Sequence, residues 1–253
     1  RITRAMEDNR FVLYRQPIVG ISGDGDEHYE VLIRMIDEKG GIVPPGAFIP
    51  AAERYNLMSA IDRWVINEVF QLIAENHADD STNDANAVIS INLSGNSLSD
   101  DGFYDYIISL KNELGISLEN VCFEITETVA ISNLVKATAL IIQLKEHGCR
   151  FSLDDFGSGL SSFAYLKTLP VNSIKIDGSF VKDVSSDPVN RAMVDSIQQV
   201  GRAMKLDTIA EWVEDEQTLN TLKEIGVNYA QGYHLGRPEA IEQNDSEQLI
   251  VYS

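Results

Sequence analysis

Short apolar runs and longer amphipathic stretches alternate along the chain. The short runs are rich in β-branched residues and predict strands at Phe11–Val19, Tyr29–Met35, Ala87–Leu93, Val121–Thr126, Arg150–Asp154, Ser173–Ile176, Asp207–Glu211 and Asn228–Gly232. The longer stretches have helical periodicity and predict helices at Ser59–Ala78, Leu98–Leu114, Ser132–His147, Pro188–Met204 and Asp215–Ile225. Because repeated strand–helix units form parallel sheets with right-handed crossovers, this order predicts an α/β fold.

The number of predicted strands and the first connection narrow the architecture. Eight strands joined mostly by helices favour a closed barrel. The segment Gly20–His28 is too short for a crossover helix and predicts a hairpin, so the first strand should run antiparallel to the second. An open doubly wound sheet is the alternative, but no glycine-rich nucleotide fingerprint follows an early strand. We therefore expect a modified TIM (β/α)8 barrel with an antiparallel first strand.

Length and composition agree with one barrel. Such folds take about 250 residues, and we interpret residues 1–253 as a single domain. The chain starts without an initiator Met and inside a predicted helix, so we expect a piece of a longer, multidomain protein. Cys122 and Cys149 each adjoin an apolar run and predict buried thiols of a reducing compartment, and no CxxC motif supports zinc.

The acidic balance limits the partners of the chain. The formal net charge is −19, and such a surface repels long polyanions, so duplex DNA or RNA is not an expected partner. A small phosphodiester is not excluded in this way, because metal ions reverse the local sign of charge inside a carboxylate-lined pocket.

Acidic and amide side chains recur where the predicted strands end. These positions are Asn92, Glu124, Asp154, Asp155, Asp177, Glu211 and Gln231, and Glu30 and Arg34 share one face of the second strand. A lone acid at a strand end is more often a helix cap or a loop anchor. This many groups at the carboxyl ends of barrel strands, where the active sites of such folds lie, indicate a functional site.

The residue types at these ends predict metal chemistry. Converging carboxylates repel one another and are costly to desolvate, and a cation relieves both costs. Oxygen ligands without His or Cys favour a hard cation such as Mg²⁺ or Mn²⁺. Four or more carboxylates can hold two metals about 3.5–4 Å apart, which activates water for attack at phosphorus.

The order of these motifs resembles a known family, the EAL domain, from Tyr14 to Pro238. The matching motifs are Glu30-x-Leu32-x-Arg34, Asn92-Leu93-Ser94, Glu124-x-Thr126-Glu127, Asp154-Asp155-Phe156-Gly157-Ser158-Gly159, Lys175-Ile176-Asp177, Glu211-x-Val213-Glu214 and Gln231-Gly232-Tyr233. This bacterial family hydrolyses cyclic di-GMP to linear pGpG on a modified barrel with an antiparallel first strand. The resemblance implies the same metal-dependent activity here, with two Mg²⁺ or Mn²⁺ per site. Ca²⁺ should inhibit this activity, because it competes with a larger coordination number and a looser geometry.

The resemblance also implies roles for individual residues. The implied metal ligands are Glu30, Asn92, Glu124, Asp154, Asp155 and Glu211. Lys175 would contact the attacking water and form the catalytic set together with Glu30, Asp154 and Glu211. The implied substrate contacts are Gln16, Leu32, Arg34, Asp177, Gln231 and Pro238. Glu127 would support the loop Asp155–Ser162 rather than bind metal.

Partners follow from the same resemblance. It implies a homodimer formed near Phe163–Phe180, and a parent protein with a GGDEF, PAS or other sensory domain. We expect a cytoplasmic domain, and an inner-membrane anchor elsewhere in the parent is compatible with it.

The chain departs from the family pattern at two positions. Val31 replaces the usual Ala, and Trp212 stands where Gly is usual, beside Glu211. Trp212 would either pack as an ordinary solvent-side or core residue, or cover the guanine site. These departures keep a second hypothesis open, a catalytically silent cyclic di-GMP receptor or docking domain. A third, an enolase-like barrel enzyme, would not need Arg34, Gln231 and the Asp-Asp-Phe-Gly loop together.

Overall fold

The computed structural model describes residues 2–23, 27–78, 87–158 and 164–241. The strands in this part of the chain are β1 Phe11–Gly20, β2 His28–Ile36, β3 Ile42–Val43, β4 Val88–Asn92, β5 Val121–Thr126, β6 Arg150–Phe156, β7 Ser173–Ile176, β8 Asp207–Ala210, β9 Tyr229–Gln231 and β10 Glu239–Ala240. The helices are α1 Ile2–Glu7, α2 Pro45–Arg54, α3 Met58–Ala78, α4 Gly95–Ser99, α5 Phe103–Leu114, α6 Glu127–Ser132, α7 Leu134–Lys145, α8 Gly178–Val181, α9 Pro188–Met204 and α10 Glu216–Ile225. A short 3-10 turn covers Tyr165–Lys167.

The strands close into a barrel, which confirms the predicted fold class. From β2 the order runs through β4, β5, β6, β7, β8 and β9, all parallel to their neighbours. β1 completes the circle and is antiparallel to both β2 and β9. The short first connection explains this reversal, because a hairpin returns the chain beside itself in the opposite direction. Residues 24–26 of that connection lie outside the described part.

The main core lies between the barrel and the helices that surround it. A parallel barrel strand is covered by helices on one side and faces the barrel interior on the other, so it is apolar along its whole length. In β5 every residue but the last is buried. Phe70 on α3, Phe103 on α5, and Phe123 and Phe151 on neighbouring strands fill this layer. Cys122 and Cys149 are free and buried, as predicted. Burial raises the pKa of each thiol to about 12, so both stay protonated.

Two predicted helices are wrong in their bounds, because polar residues interrupt them. The stretch Leu98–Leu114 divides into α4 and α5, since Asp100 adopts an extended conformation and its carboxylate accepts a hydrogen bond from the Gly102 N–H. The stretch Ser132–His147 is helical as α7 from Leu134 to Lys145, but Ser132 belongs instead to the separate helix α6, which begins at Glu127 and is capped by the Thr126 side chain. Polar side chains that bond the backbone locally end helices in this way.

Other helix ends agree with the sequence. Pro188 occupies the first turn of α9, where its missing N–H costs nothing. Gly115 and Gly226 end α5 and α10 in the left-handed conformation that glycine adopts most easily. None of the helices within the described ranges combines the length and the apolar character of a membrane span.

Candidate active site

One lysine lies at the centre of the barrel mouth and contacts four carboxylates. β7 carries Lys175, which is only 1% exposed. Its Nζ lies 2.8 Å from Glu124, 2.9 Å from Glu211, 3.1 Å from Glu30 and 3.4 Å from Asp154. Glu124, Glu30 and Asp154 lie on β5, β2 and β6, and Glu211 directly follows β8. The site therefore joins five strands through one ammonium group.

The charges of this cluster do not balance. Burial alone would lower the pKa of Lys175, but the surrounding carboxylates, led by Asp154, Glu124 and Glu211, raise it well above its usual value. Burial raises the pKa of Glu124 and of Glu211 to about 8, although Lys175 pulls both down. One ammonium thus faces more negative charge than it can neutralise, which leaves a strong attraction for a further cation.

Glu30 differs from the other acids because amide groups also stabilise its charge. Burial would raise its pKa, but Lys175 and hydrogen bonds from Gln231 and Asn92 outweigh burial and lower it. The Asn92 amide donates to Glu30 Oε1 at 2.6 Å, and the Gln231 amide donates to Oε2 at 2.8 Å. Gln231 also contacts Gln16 at 3.4 Å, and Gln16 donates to the Gly236 carbonyl at 3.0 Å. The amides therefore fix the acid between β1, β4 and β9.

A bulge near the end of β6 turns a second aspartate toward the cluster. The register with β7 shifts between Leu153 and Phe156, and Asp155 takes a left-handed conformation with φ of 54°. Burial, followed by repulsion from Asp154, raises the pKa of Asp155. Carboxylate oxygens of Asp154, Asp155 and Glu211 lie within 4.8 Å of one another. Strain of this kind in a non-glycine residue is typical of functional sites.

The donor set fits a hard divalent cation. Asp154, Asp155 and Glu211 supply only oxygen ligands, as Mg²⁺ and Mn²⁺ prefer. Two buried carboxylate oxygens, Glu124 Oε1 and Asp154 Oδ1, have no hydrogen-bond partner among the described residues. Asp154 Oδ1 has only the ion pair with Lys175 at 3.4 Å. Buried acceptors without a hydrogen bond are costly, and a cation would satisfy both oxygens.

A pocket of about 240 Å³ adjoins the cluster, and Glu30 and Glu211 reach into it. Of the predicted substrate contacts, the pocket is lined by Gln16, Leu32, Arg34, Gln231 and Pro238. The structure does not place Asp177 in this lining: its carboxylate accepts the Ser179 N–H at 2.8 Å and caps α8.

Arg34 is the cation of this pocket. Its guanidinium lies over the Tyr14 ring, 5.3 Å from the centroid, and donates to the Ile33 carbonyl at 2.9 Å. No ion pair within the described ranges involves Arg34. Its charge is therefore held in place and available to an anion.

Glu127 supports the loop after β6. It is buried and accepts hydrogen bonds from the Gly157 N–H at 3.0 Å and from the Tyr165 hydroxyl. The acid thus ties the first residues of the loop to the 3-10 turn. Sequence reasoning did not identify Tyr165, because its contact with Glu127 spans 38 residues. Residues 159–162 of the loop, and Phe163 of the predicted dimer face, lie outside the described part.

The two departures from the family pattern have different surroundings. Val31 is 3% exposed, belongs to the core and does not line the pocket. Trp212 is 63% exposed and lines the pocket. The first substitution therefore concerns packing, and the second changes the surface that a ligand meets.

Asp62 on α3 is a buried acid that sequence reasoning missed. Its Oδ2 accepts hydrogen bonds from the Ser94 N–H at 2.9 Å, the Ser94 hydroxyl at 2.6 Å and the Ser97 hydroxyl at 2.6 Å. Ser94 follows the end of β4, so Asp62 fixes the turn directly beyond Asn92. The sequence signal for a buried Asp62 was its place among apolar residues of α3 that are themselves buried, such as Ile61 and Val65.

Replacement of Asp62 by alanine is expected to destabilise the barrel by about 1–3 kcal/mol, because three donors lose their acceptor in a buried place. Urea denaturation followed by circular dichroism measures this change. Glu75→Ala on the same helix is the matched control, since Glu75 is exposed, and it should stay within about 0.5 kcal/mol of wild type. Equal stability of the two variants would contradict a structural role for Asp62.

The fold and the site define an α/β barrel with a cluster of carboxylates at its mouth. The family model described as the EAL domain matches residues 1–238, and the chain belongs to this family. The chain is 44% identical to the cyclic di-GMP phosphodiesterase PdeB of Shewanella oneidensis over 242 residues. This alignment covers 95% of this chain and 28% of PdeB. The chain is 35% identical to the cyclic di-GMP phosphodiesterase PdeF of Escherichia coli over 241 residues, and that alignment covers 95% of this chain and 32% of PdeF. The chain thus spans about a third of the length of these curated relatives.

Solved structures agree with this assignment. The FimX EAL domain of Pseudomonas aeruginosa bound to c-di-GMP superposes with a TM-score of 0.86 at 34% identity, covering 94% of both chains. The PaMucR phosphodiesterase in its c-di-GMP complex also superposes with a TM-score of 0.86, at 32% identity, over 94% of this chain and 95% of the PaMucR chain.

Proposed function

We propose that this chain hydrolyses cyclic di-GMP to linear pGpG with two Mg²⁺ or Mn²⁺ ions. The observation that carries the proposal is the complete acidic set around Lys175, open to a pocket that contains Arg34. The names of PdeB and PdeF support the reaction, and the FimX and PaMucR complexes support the ligand. A pocket that joins a carboxylate cluster to a guanidinium with no ion pair among the described residues suits a phosphodiester.

The metal ligands would be Glu30, Asn92, Glu124, Asp154, Asp155 and Glu211. Two bound cations would screen the phosphate charge and lower the pKa of a water molecule for attack at phosphorus. The excess negative charge of the cluster supplies the affinity for them.

Protein side chains position the substrate and the water. Arg34 binds a phosphate oxygen through charge-assisted hydrogen bonds, and Gln16 borders the same pocket. Lys175 is an ammonium in this arrangement, because the four carboxylates hold its proton. It therefore donates a hydrogen bond to the attacking water, and the acidic part of the set accepts the water's proton.

Incubation of the pure protein with cyclic di-GMP and Mg²⁺ or Mn²⁺ tests this function. Chromatography should show pGpG with either metal and none after chelation by EDTA. Absence of product with both metals would contradict the proposal.

Substitution of Ca²⁺ for Mg²⁺ is expected to stop turnover. Ca²⁺ takes six to eight ligands at 2.3–2.6 Å in flexible geometry, whereas Mg²⁺ demands an octahedron at about 2.0–2.1 Å. Ca²⁺ would thus occupy the acids without the arrangement that hydrolysis needs. Initial rates at fixed Mg²⁺ and increasing Ca²⁺ measure the competition, and full activity in Ca²⁺ alone would rule out the two-small-metal mechanism.

A silent receptor is the second candidate. The exposed Trp212 beside Glu211 favours it, because an indole at this place can add affinity for a ligand without adding to the chemistry. Tight binding of cyclic di-GMP with no product in either metal would select this function. Homodimerisation near Phe163–Phe180 stays a prediction, which sedimentation velocity would check.

A further inference from the structure

Two exposed aromatic side chains line the pocket beside the acidic cluster. Trp212 is 63% exposed and Tyr233 is 55% exposed. Arg237 lies over the Tyr233 ring, 4.6 Å from its centroid, so that ring already has a partner. Trp212 is therefore the aromatic side chain of this pocket that offers most surface to a ligand.

The backbone holds Trp212 in an unusual conformation. Its φ is 57°, in the left-handed region that large side chains rarely adopt. The residues on either side are fixed: the Glu211 N–H donates to the Ile176 carbonyl at 3.3 Å, and the Val213 N–H donates to the Gln231 carbonyl at 3.0 Å. Trp212 is thus held between two strands of the barrel while its own side chain stays exposed.

Gly178 makes room for the indole. A Cβ atom at Gly178 would lie 2.2 Å from Cδ1 and 2.5 Å from Cγ of Trp212, distances that real Cβ atoms do not adopt. The ring therefore packs on the start of α8 through a position that only glycine can occupy. This contact gives the exposed ring a fixed orientation, which reduces the entropy lost when a ligand binds to it.

We propose that Trp212 is the base-stacking platform of this site and takes one purine base of the cyclic dinucleotide. This inference rests on the proposed function and adds the residue that binds the base. Arg34 lines the same pocket and binds phosphate, so a single ligand with both a phosphate and a flat base satisfies the two groups together. Stacking on an aromatic side chain is a favourable contact for every base, because each has a π-face.

Intrinsic fluorescence reports directly on this contact. The chain has two tryptophans, and Trp64 is partly buried and packs against the core residue Phe11, with ring centroids 5.5 Å apart. Titration with cyclic di-GMP in Ca²⁺ should quench the emission of wild type, and should quench a larger fraction of the emission of Trp64→Phe, in which Trp212 is the only indole. The quenching should disappear in Trp212→Phe. Quenching that persists without Trp212 would overturn the assignment.

Binding and turnover separate stacking from a structural role. Trp212→Ala should raise Kd and KM about tenfold or more, within the range of base–aromatic stacking, while kcat in Mg²⁺ changes by less than about threefold. Trp212→Phe keeps an aromatic face and should restore most of the affinity. Gly178→Ala leaves the indole in the chain but displaces it, and should also raise Kd. Unchanged Kd in Trp212→Ala, or a loss confined to kcat, would overturn the proposal.

The same measurements distinguish failure of the platform from failure of the function. A wild-type protein that hydrolyses cyclic di-GMP, with a Trp212→Ala variant of equal Kd and KM, would remove the stacking role alone. A wild-type protein that neither binds nor hydrolyses cyclic di-GMP would remove both.

Discussion

Replacement of Lys175 by alanine is expected to abolish hydrolysis, with a loss of roughly 10³-fold or more in turnover. The ammonium lies within 3.4 Å of four carboxylates and is the only cation that contacts them among the described residues. Without it, the hydrogen bond to the attacking water is lost and the acids repel one another. Removal of one partner of a buried ion pair also costs about 3–5 kcal/mol, so the variant should be less stable as well.

Two measurements distinguish the chemical loss from the structural one. Bound Mg²⁺ should restore much of the stability of Lys175→Ala, since cations neutralise the same acids, but should not restore turnover. Lys182→Ala is the matched control, because Lys182 is exposed and lies only seven residues away; its rate and Tm should equal those of wild type. A folded Lys175→Ala protein with the wild-type rate would refute the role of this lysine.

The sequence predicted the strands of the barrel better than its helices. Buried parallel strands are short apolar runs, and both Val121–Thr126 and Ser173–Ile176 have the predicted bounds. Helix breaks depend on single polar residues rather than on periodicity: Asp100 accepts a local hydrogen bond from the Gly102 N–H, and Asn133 donates to the Ser99 hydroxyl, 34 residues away. The helix α8 has four residues, too few to show a period.

The members of the site were predictable, whereas their mutual contacts were not. Strand ends and ordered motifs identified Glu30, Glu124 and Lys175, since the seven parallel strands of the barrel have their carboxyl ends at one rim. The contact between Lys175 and Glu30 spans 145 residues and depends on how the barrel closes. Asp62 and Tyr165 likewise support the site through residues that are distant in the sequence, Ser94 and Glu127, and no sequence motif marks these contacts. Trp212 was noticed as a departure from the pattern, but only its exposure and its contact with Gly178 show which surface it offers.

Replacement of Glu30 by glutamine should remove both turnover and the response to metal. The carboxylate accepts hydrogen bonds from Asn92, Gln231 and Lys175. Glutamine keeps the shape but offers one acceptor oxygen, and its NH2 group must face one of these donors. The loss of a negative charge and a metal ligand is expected to lower kcat by roughly 10³-fold, comparable to the loss of a catalytic acid or base.

Thermal unfolding with and without Mg²⁺ measures the metal response apart from the chemistry. At a hundredfold excess over Kd, a bound ion stabilises the wild type by about 2.7 kcal/mol, and each kcal/mol shifts Tm by about 2–4 °C in a domain of this size. Glu30→Gln should lose most of this shift. Glu27→Gln, one residue before the same strand and exposed, should keep it together with full activity. A Glu30→Gln protein that retained the Mg²⁺ shift but not turnover would place Glu30 outside the metal ligands, because its charge would then serve the water or the substrate alone.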